Sequence, residues 1–193
     1  MAGLMGSLDQ PHVLKHRITV DAYYRMGETG IIAPDARVEL IDGEIIDMAP
    51  MGSAHASVLS MLNQRLVTVL ASRAEVRCQL PIQLDQHSQP EPDIALLKPR
   101  ADFYRGGHPS ASDVLLVIEV ADTSLEFDRS VKVPLYARHG IAEVWLVDLQ
   151  NRLFTIHREP KDGIYRNTRT TGAPGTLELS RLAGVSVDLS ALL

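Results

Sequence analysis

Apolar positions along the chain change period several times, and each change marks an element. Residues 53–73, SAHASVLSMLNQRLVTVLASR, set Val58, Leu59, Leu62, Leu66, Val69 and Leu70 on one face, which predicts the longest helix with Ser53 as its cap. Elsewhere the apolar runs are short, β-branched and unbroken. PDIALL at 92–97, VLLVIEV at 114–120 and VWLVDL at 144–149 read as buried strands. In VELIDGEIID, Asp42-Gly43 lies between two short apolar runs and signals a tight hairpin whose acids Glu39 and Glu44 could share a face. Thr19 offers an N-cap to a helix over TVDAYYRMGE, ending near Gly27 or Gly30.

The remaining segments complete the layout. EVRCQLPIQLD at 75–85 alternates as a strand does and, across the polar turn DQHSQPEP, pairs with 92–97. KPRADFYRGGHPSASD is too rich in Gly, Pro and charge for a core element and reads as a surface loop with one helical turn. SVKVPLYARHG is a helix closed by Gly140; because proline is tolerated only in a first turn, Pro134 sets its start near Ser130. RLFTIHR pairs back on the 141–149 strand across Gln150-Asn151, IYRNTRTT is a further polar strand, and the tail from Thr176 ends in a short strand or helix. Strand, helix and strand over 114–148 require a parallel, right-handed crossover. The fold class expected is therefore α/β (α+β): a mixed sheet flanked by helices, with added N-terminal and C-terminal hairpins. Residues 1–17 read as a loose arm and 18–193 as one domain.

Two acids break this apolar logic. Asp93 stands where the 92–97 strand begins, and Glu119 lies near the end of LLVIEV. An ionised carboxylate is expensive to bury unless a cation, hydrogen bonds or a metal compensates it. If the two strands are neighbours, the carboxylates converge at one point, which is how a hard divalent cation is held. Mg²⁺ needs one or two carboxylates, with water and substrate phosphate filling its other positions. Lys132, near the start of the following helix, faces back toward the end of the Glu119 strand and could stabilise charge at such a site. His55, in the first turn of the long helix, reads as structural or capping rather than catalytic, since the dipole there disfavours a positive imidazole.

Composition narrows the classes. The single cysteine, Cys78, excludes an internal disulfide framework, and no stretch is apolar for long enough to span a bilayer. With no signal-peptide pattern at the N-terminus, a cytoplasmic protein is expected. A net charge of −5 argues against a protein whose main task is coating nucleic acid, but not against a nuclease, whose acids carry metal. Basic residues concentrate between Arg152 and Arg169, where Arg152, Arg158, Lys161, Arg166 and Arg169 face only Glu159 and Asp162. That run could touch a phosphate backbone or be a solvated hairpin face; Lys98, Arg100, Arg105 and His108 offer a second such patch.

An acid-bearing hairpin, a long helix, PD at a strand start and an acid in the next strand resemble, in that order, the PD-(D/E)XK nuclease superfamily. VELIDGEI, PEPD, IEV, DRSVKVPLYARHGI and EVWLVD together resemble the Uma-type restriction-endonuclease-like family within it, from about residue 18 to 170. The resemblance implies a restriction-endonuclease-like fold and a Mg²⁺-dependent endonuclease, with Mn²⁺ as substitute, hydrolysing DNA phosphodiester bonds. Asp93 and Glu119 would ligate the metal, Glu39 would support it, and Lys132 would serve as the catalytic lysine. The chain departs from the superfamily at Ala121, where the acid-x-lysine tripeptide expects lysine; the helix residue Lys132 takes that role, with Asp128 four positions before it. Glu44, Glu143 and Asp148 read as structural, and Trp145 and Tyr136 as core aromatics. The alternative is a nuclease-fold binding or assembly module, catalytically weak or inactive; a homodimer is expected in either case.

Overall fold

The structure is a computed structural model that describes residues 15–193, so the arm expected over 1–17 lies outside the described residues through position 14. Helix α1 (Val20–Glu28) starts as expected, with Thr19 Oγ1 accepting from the Ala22 N–H at 3.2 Å. Strands β1 (Val38–Ile41) and β2 (Glu44–Asp47) form the hairpin. Its two turn residues, Asp42 and Gly43, have φ of 49° and 82°, the pair of positive values that the Asp-Gly signal anticipates. At Gly43 a Cβ would sit 2.6 Å from that of Arg17, so only glycine fits there.

Helix α2 (Ser53–Leu70) buries Leu59, Leu62, Leu66 and Leu70 against the sheet, each side chain contributing roughly 1.5–3 kcal/mol of apolar burial. Ser53 is its first residue rather than its cap; Gly52 occupies the cap position, without a side-chain hydrogen bond. Val69, placed on the apolar stripe by spacing, is exposed.

Six strands make the main sheet in the order β3-β4-β5-β6-β7-β8. These are β3 (Glu75–Cys78), β4 (Ile94–Leu97), β5 (Val114–Ala121), β6 (Glu143–Asp148), β7 (Leu153–Lys161) and β8 (Ile164–Thr171). Only β5 and β6 run parallel, through the crossover required by the sequence; the other neighbours are antiparallel. Strand β3 is shorter than the 75–85 expected. Gln79 turns to φ 51°, and residues 81–91 run as loop, with Pro81 and Pro90 unable to donate to a ladder. A small hairpin of β9 (Thr176–Glu178) and β10 (Ser186–Asp188) closes the C-terminal end.

One sheet face packs on α2 and the β9-β10 hairpin through Ile118, Trp145 and Phe154. The other packs on the crossover helix through Val117, Val144 and Tyr136. That crossover begins earlier than Pro134 suggested: α3 (Leu125–Phe127) leads into a π-helical turn (Asp128–Lys132) and then α4 (Val133–Arg138). The Val133 N–H reaches back to the Asp128 carbonyl, five residues away. Proline lacks an N–H and its ring crowds the carbonyl four residues earlier, so a wide turn just before Pro134 lets the helix pass without a break.

Candidate functional site

Register brings the two anomalous acids together. In the antiparallel β4-β5 pair Ile94 faces Ile118, so the next rung sets Asp93 opposite Glu119. The Asp93 N–H points to Glu119 Oε2 at 3.4 Å, and the Val120 N–H donates to Asp93 Oδ2 at 2.8 Å. Side chains alternate along β5, so Glu119 shares the face of Val117, toward α4, and not that of Ile118 and Val120.

Glu39 comes from β1, which leans on the loop before β4 through a bridge between Leu40 and Gln89. Its Oε2 accepts from the Glu91 N–H at 3.0 Å. Glu44, in contrast, is exposed and paired with Lys15, apart from this cluster. Lys132, the last residue of the π turn, lies between the two strands' acids, its Nζ 3.2 Å from Glu39 Oε2 and 3.1 Å from Glu119 Oε1. Asp128, at the start of the same turn, accepts from Ser124 Oγ at 2.6 Å. All four proposed residues, Glu39, Asp93, Glu119 and Lys132, are thus in one place.

Three further residues complete the cluster, and the sequence reading missed their contacts. Tyr136 Oη, one helical turn after Lys132, donates to Glu119 Oε1 at 2.5 Å, so this fully buried aromatic is also a polar partner. His55 is not a cap: its Nε2 meets Asp93 Oδ1 at 2.8 Å. Gln79 Nε2 donates to the same oxygen at 3.2 Å. A sequence signal existed only for Tyr136, whose i, i+4 spacing from Lys132 puts both on one helix face. His55 and Gln79 arrive from elements whose approach the sequence does not fix.

The cluster lines a cavity of about 420 Å³ bounded by β2, the N-terminal end of α2, and the 122–128 segment. Glu39, Asp93, Glu119 and Asp128 are each no more than 8% exposed; Lys132 and, when protonated, His55 pair with members of this group, and Arg37 also lines the cavity. Burial, with the Asp128 and Asp93 charges adding to it against Lys132, pushes the Glu119 carboxyl up to about 8. Burial also raises Asp128, against the opposing pull of Lys132. Burial alone would lower Lys132, but Glu119, Glu39 and Asp128 outweigh it and hold the ammonium charged. Negative charge is in excess here, which is the condition a bound cation relieves. Among the described residues no three His, Cys, Asp or Glu side chains already converge as a metal cage. Asp93 and Glu119 fit a hard cation that keeps several waters rather than a protein-enclosed one.

The basic runs are distributed differently. Arg158 is bound to the buried Glu143 at 2.6 Å and Arg166 to Asp162 at 3.2 Å. Pairing aligns Glu119, Leu146, Thr155 and Thr170 on one face and Ile118, Trp145, Ile156 and Arg169 on the other, so Arg169 faces away from the acids. In the 98–113 loop, Arg100 pairs with Asp102 and, with Arg77, stacks on Tyr104. Glu143 and Asp148 are structural as expected: Glu143 also accepts from Trp145 Nε1, and Asp148 caps the Asn151 turn.

Residues 20–190 match the Uma2 family, whose description reads "Putative restriction endonuclease". The chain belongs to this family. A crystal structure of "a putative nuclease belonging to DUF820" from Anabaena variabilis superposes with a TM-score of 0.64 at 20% identity, covering 83% of this chain and 88% of that one. At that identity the likeness is one of fold. No curated protein matches the chain. Among the described residues no helix is long and apolar enough to cross a membrane.

Proposed function

We propose that this Uma2-family chain is a Mg²⁺-dependent endonuclease that hydrolyses DNA phosphodiester bonds. The observation that carries the reading is the buried set of Asp93 and Glu119 on one rung, with the Lys132 ammonium 3.1 Å from Glu119. A divalent cation bound there would supply Lewis acidity toward the phosphoryl oxygen and make water more acidic.

The chain's own residues do the remainder. Asp93 and Glu119 would hold the cation. Glu39 accepts from the Lys132 ammonium and, through the Glu91 N–H, ties it to the loop before β4. Lys132 then offers its remaining N–H to a non-bridging phosphate oxygen, where negative charge grows as water attacks phosphorus. In the net reaction an O–P bond from water forms, the bond to the leaving sugar oxygen breaks, and a proton from water ends on that oxygen. Tyr136, donating to Glu119 Oε1, keeps the carboxylate turned toward the cavity.

Plasmid nicking in Mg²⁺ tests the proposal. Asp93→Ala and Glu119→Gln proteins should lose activity by at least about 100-fold, the scale of removing a principal catalytic group. Undiminished nicking by both variants would rule the site out. Retained folding with no nicking by the wild-type chain in Mg²⁺ or Mn²⁺ would instead favour a binding or assembly module.

A further inference from the structure

Asp93 makes more hydrogen bonds than a carboxylate needs for burial alone, and their arrangement is asymmetric. An ionised carboxylate offers about four lone-pair positions, two on each oxygen. The Val120 N–H takes one on Oδ2, at 2.8 Å. His55 Nε2 at 2.8 Å and Gln79 Nε2 at 3.2 Å both fall on Oδ1. Since an ionised carboxylate can only accept, the His55 proton at this contact is on Nε2. One position remains, on Oδ2.

We infer that His55 and Gln79 are positioning residues that saturate Asp93 Oδ1, so that Asp93 meets the cation through Oδ2 alone. The inference rests on the metal-dependent reading above and adds to it which oxygen binds and which residues decide that. Both residues are built for the contact. Gln79 is held at φ 51°, a left-handed backbone that costs an ordinary residue roughly 1–2 kcal/mol, and its own N–H donates to the Asp93 carbonyl at 3.1 Å. Backbone and side chain of one strained residue thus both serve Asp93. His55 comes from the first turn of α2, which the four buried leucines fix against the sheet, so its Cα is held beside Asp93 and the Asp93 hydrogen bond orients its ring.

Single-oxygen ligation has a consequence for metal choice. Ca²⁺ tolerates, and commonly takes, two oxygens of one carboxylate in a loose shell of six to eight; Mg²⁺ and Mn²⁺ sites suit single-oxygen contacts in an octahedron. Occupying Oδ1 with two donors therefore favours the smaller ions.

Calorimetric titration of the full chain with MnCl₂ and with CaCl₂ tests this. Wild type should bind Mn²⁺ more tightly than Ca²⁺. His55→Ala should weaken Mn²⁺ by about 10–100-fold, the usual loss when a partner of a metal ligand is removed, and narrow the Mn²⁺ to Ca²⁺ ratio. His55→Gln, whose amide nitrogen reaches about as far as imidazole Nε2, should keep most of the Mn²⁺ affinity. Gln79→Ala probes the same oxygen from another element and should act in the same direction if His55→Ala does not fold. Mn²⁺ binding unchanged in the alanine variants, or lost equally in His55→Gln and His55→Ala, overturns the inference while leaving the metal site standing. Failure of wild type to bind Mn²⁺ overturns the inference and the metal-dependent reading together.

Discussion

Lys132 reaches Glu119 from the next element in the chain rather than from the next position but one on the same strand, and the contact is 3.1 Å. Lys132 closes the π turn at Asp128–Lys132, and from there its buried side chain meets the Glu119 carboxylate of β5. Ala121, where the superfamily pattern expects lysine, is itself fully buried.

Removing the ammonium leaves Glu39 and Glu119 buried without their cation. Lys132→Met should therefore cost stability by about 3–5 kcal/mol, as for other broken buried ion pairs. The double variant Glu119→Gln with Lys132→Met should recover part of that loss, since glutamine in place of Glu119 needs no cation. Urea denaturation of the four proteins, metal-free, measures the coupling; additive losses would mean that the two groups do not sense each other.

Tyr136→Phe keeps the ring in the core and deletes only the hydroxyl that donates to Glu119. The expected loss is about 1–3 kcal/mol, as for a buried acceptor deprived of a donor. Thermal unfolding of the metal-free protein should show the drop. Nicking by the variant should fall as well, with the Mg²⁺ concentration for half-maximal activity rising.

His157 gives a pH dependence separate from the acids. Its Nε2 is buried without a hydrogen-bond partner, and burial, with Arg129 nearby, pulls the imidazole down to about 4 from an ordinary 6.5. The folded protein thus binds this proton less readily than the unfolded chain. Its contribution is complete above about pH 6.5 and is lost as pH falls toward 4. Allowing for solvent screening of this half-buried ring, the loss by pH 5 is about 1 kcal/mol. His157→Gln should flatten the wild-type stability profile between pH 6.5 and 5. Parallel profiles for the two proteins would contradict this.

What the sequence disclosed and what it hid follow from the range of each interaction. Strand runs with a misplaced acid are local signals, so Asp93 and Glu119 stood out, and the Asp42-Gly43 turn fixed the hairpin that presents Glu39. Lys132 was placed correctly in spite of a wrong helix start, because proline restricts the backbone near it but does not reveal that a π turn absorbs the restriction. The end of β3 at Cys78 was hidden: QLPIQLD alternates as a strand does, yet Gln79 is drawn into a left-handed turn by a partner fourteen residues away. His55 was judged from its own helix, where the dipole argument is sound. Its partner lies across the fold on β4's leading edge, and no spacing within the chain announces it. The spacing of the basic run at 152–169 also hid how its members divide, since alternation along β8 puts Arg166 and Arg169 on opposite faces and Arg158 is given to Glu143.

Asp93 and Glu119 would share one cation, and anomalous diffraction from crystals soaked in Mn²⁺ would locate it. A peak is expected about 2.1 Å from Asp93 Oδ2 and from a Glu119 oxygen, with Lys132 still within hydrogen-bond reach of Glu39. A Mn²⁺ peak held by Asp122 and Asp128 with Asp93 unliganded, or no peak anywhere in the cavity, would contradict it.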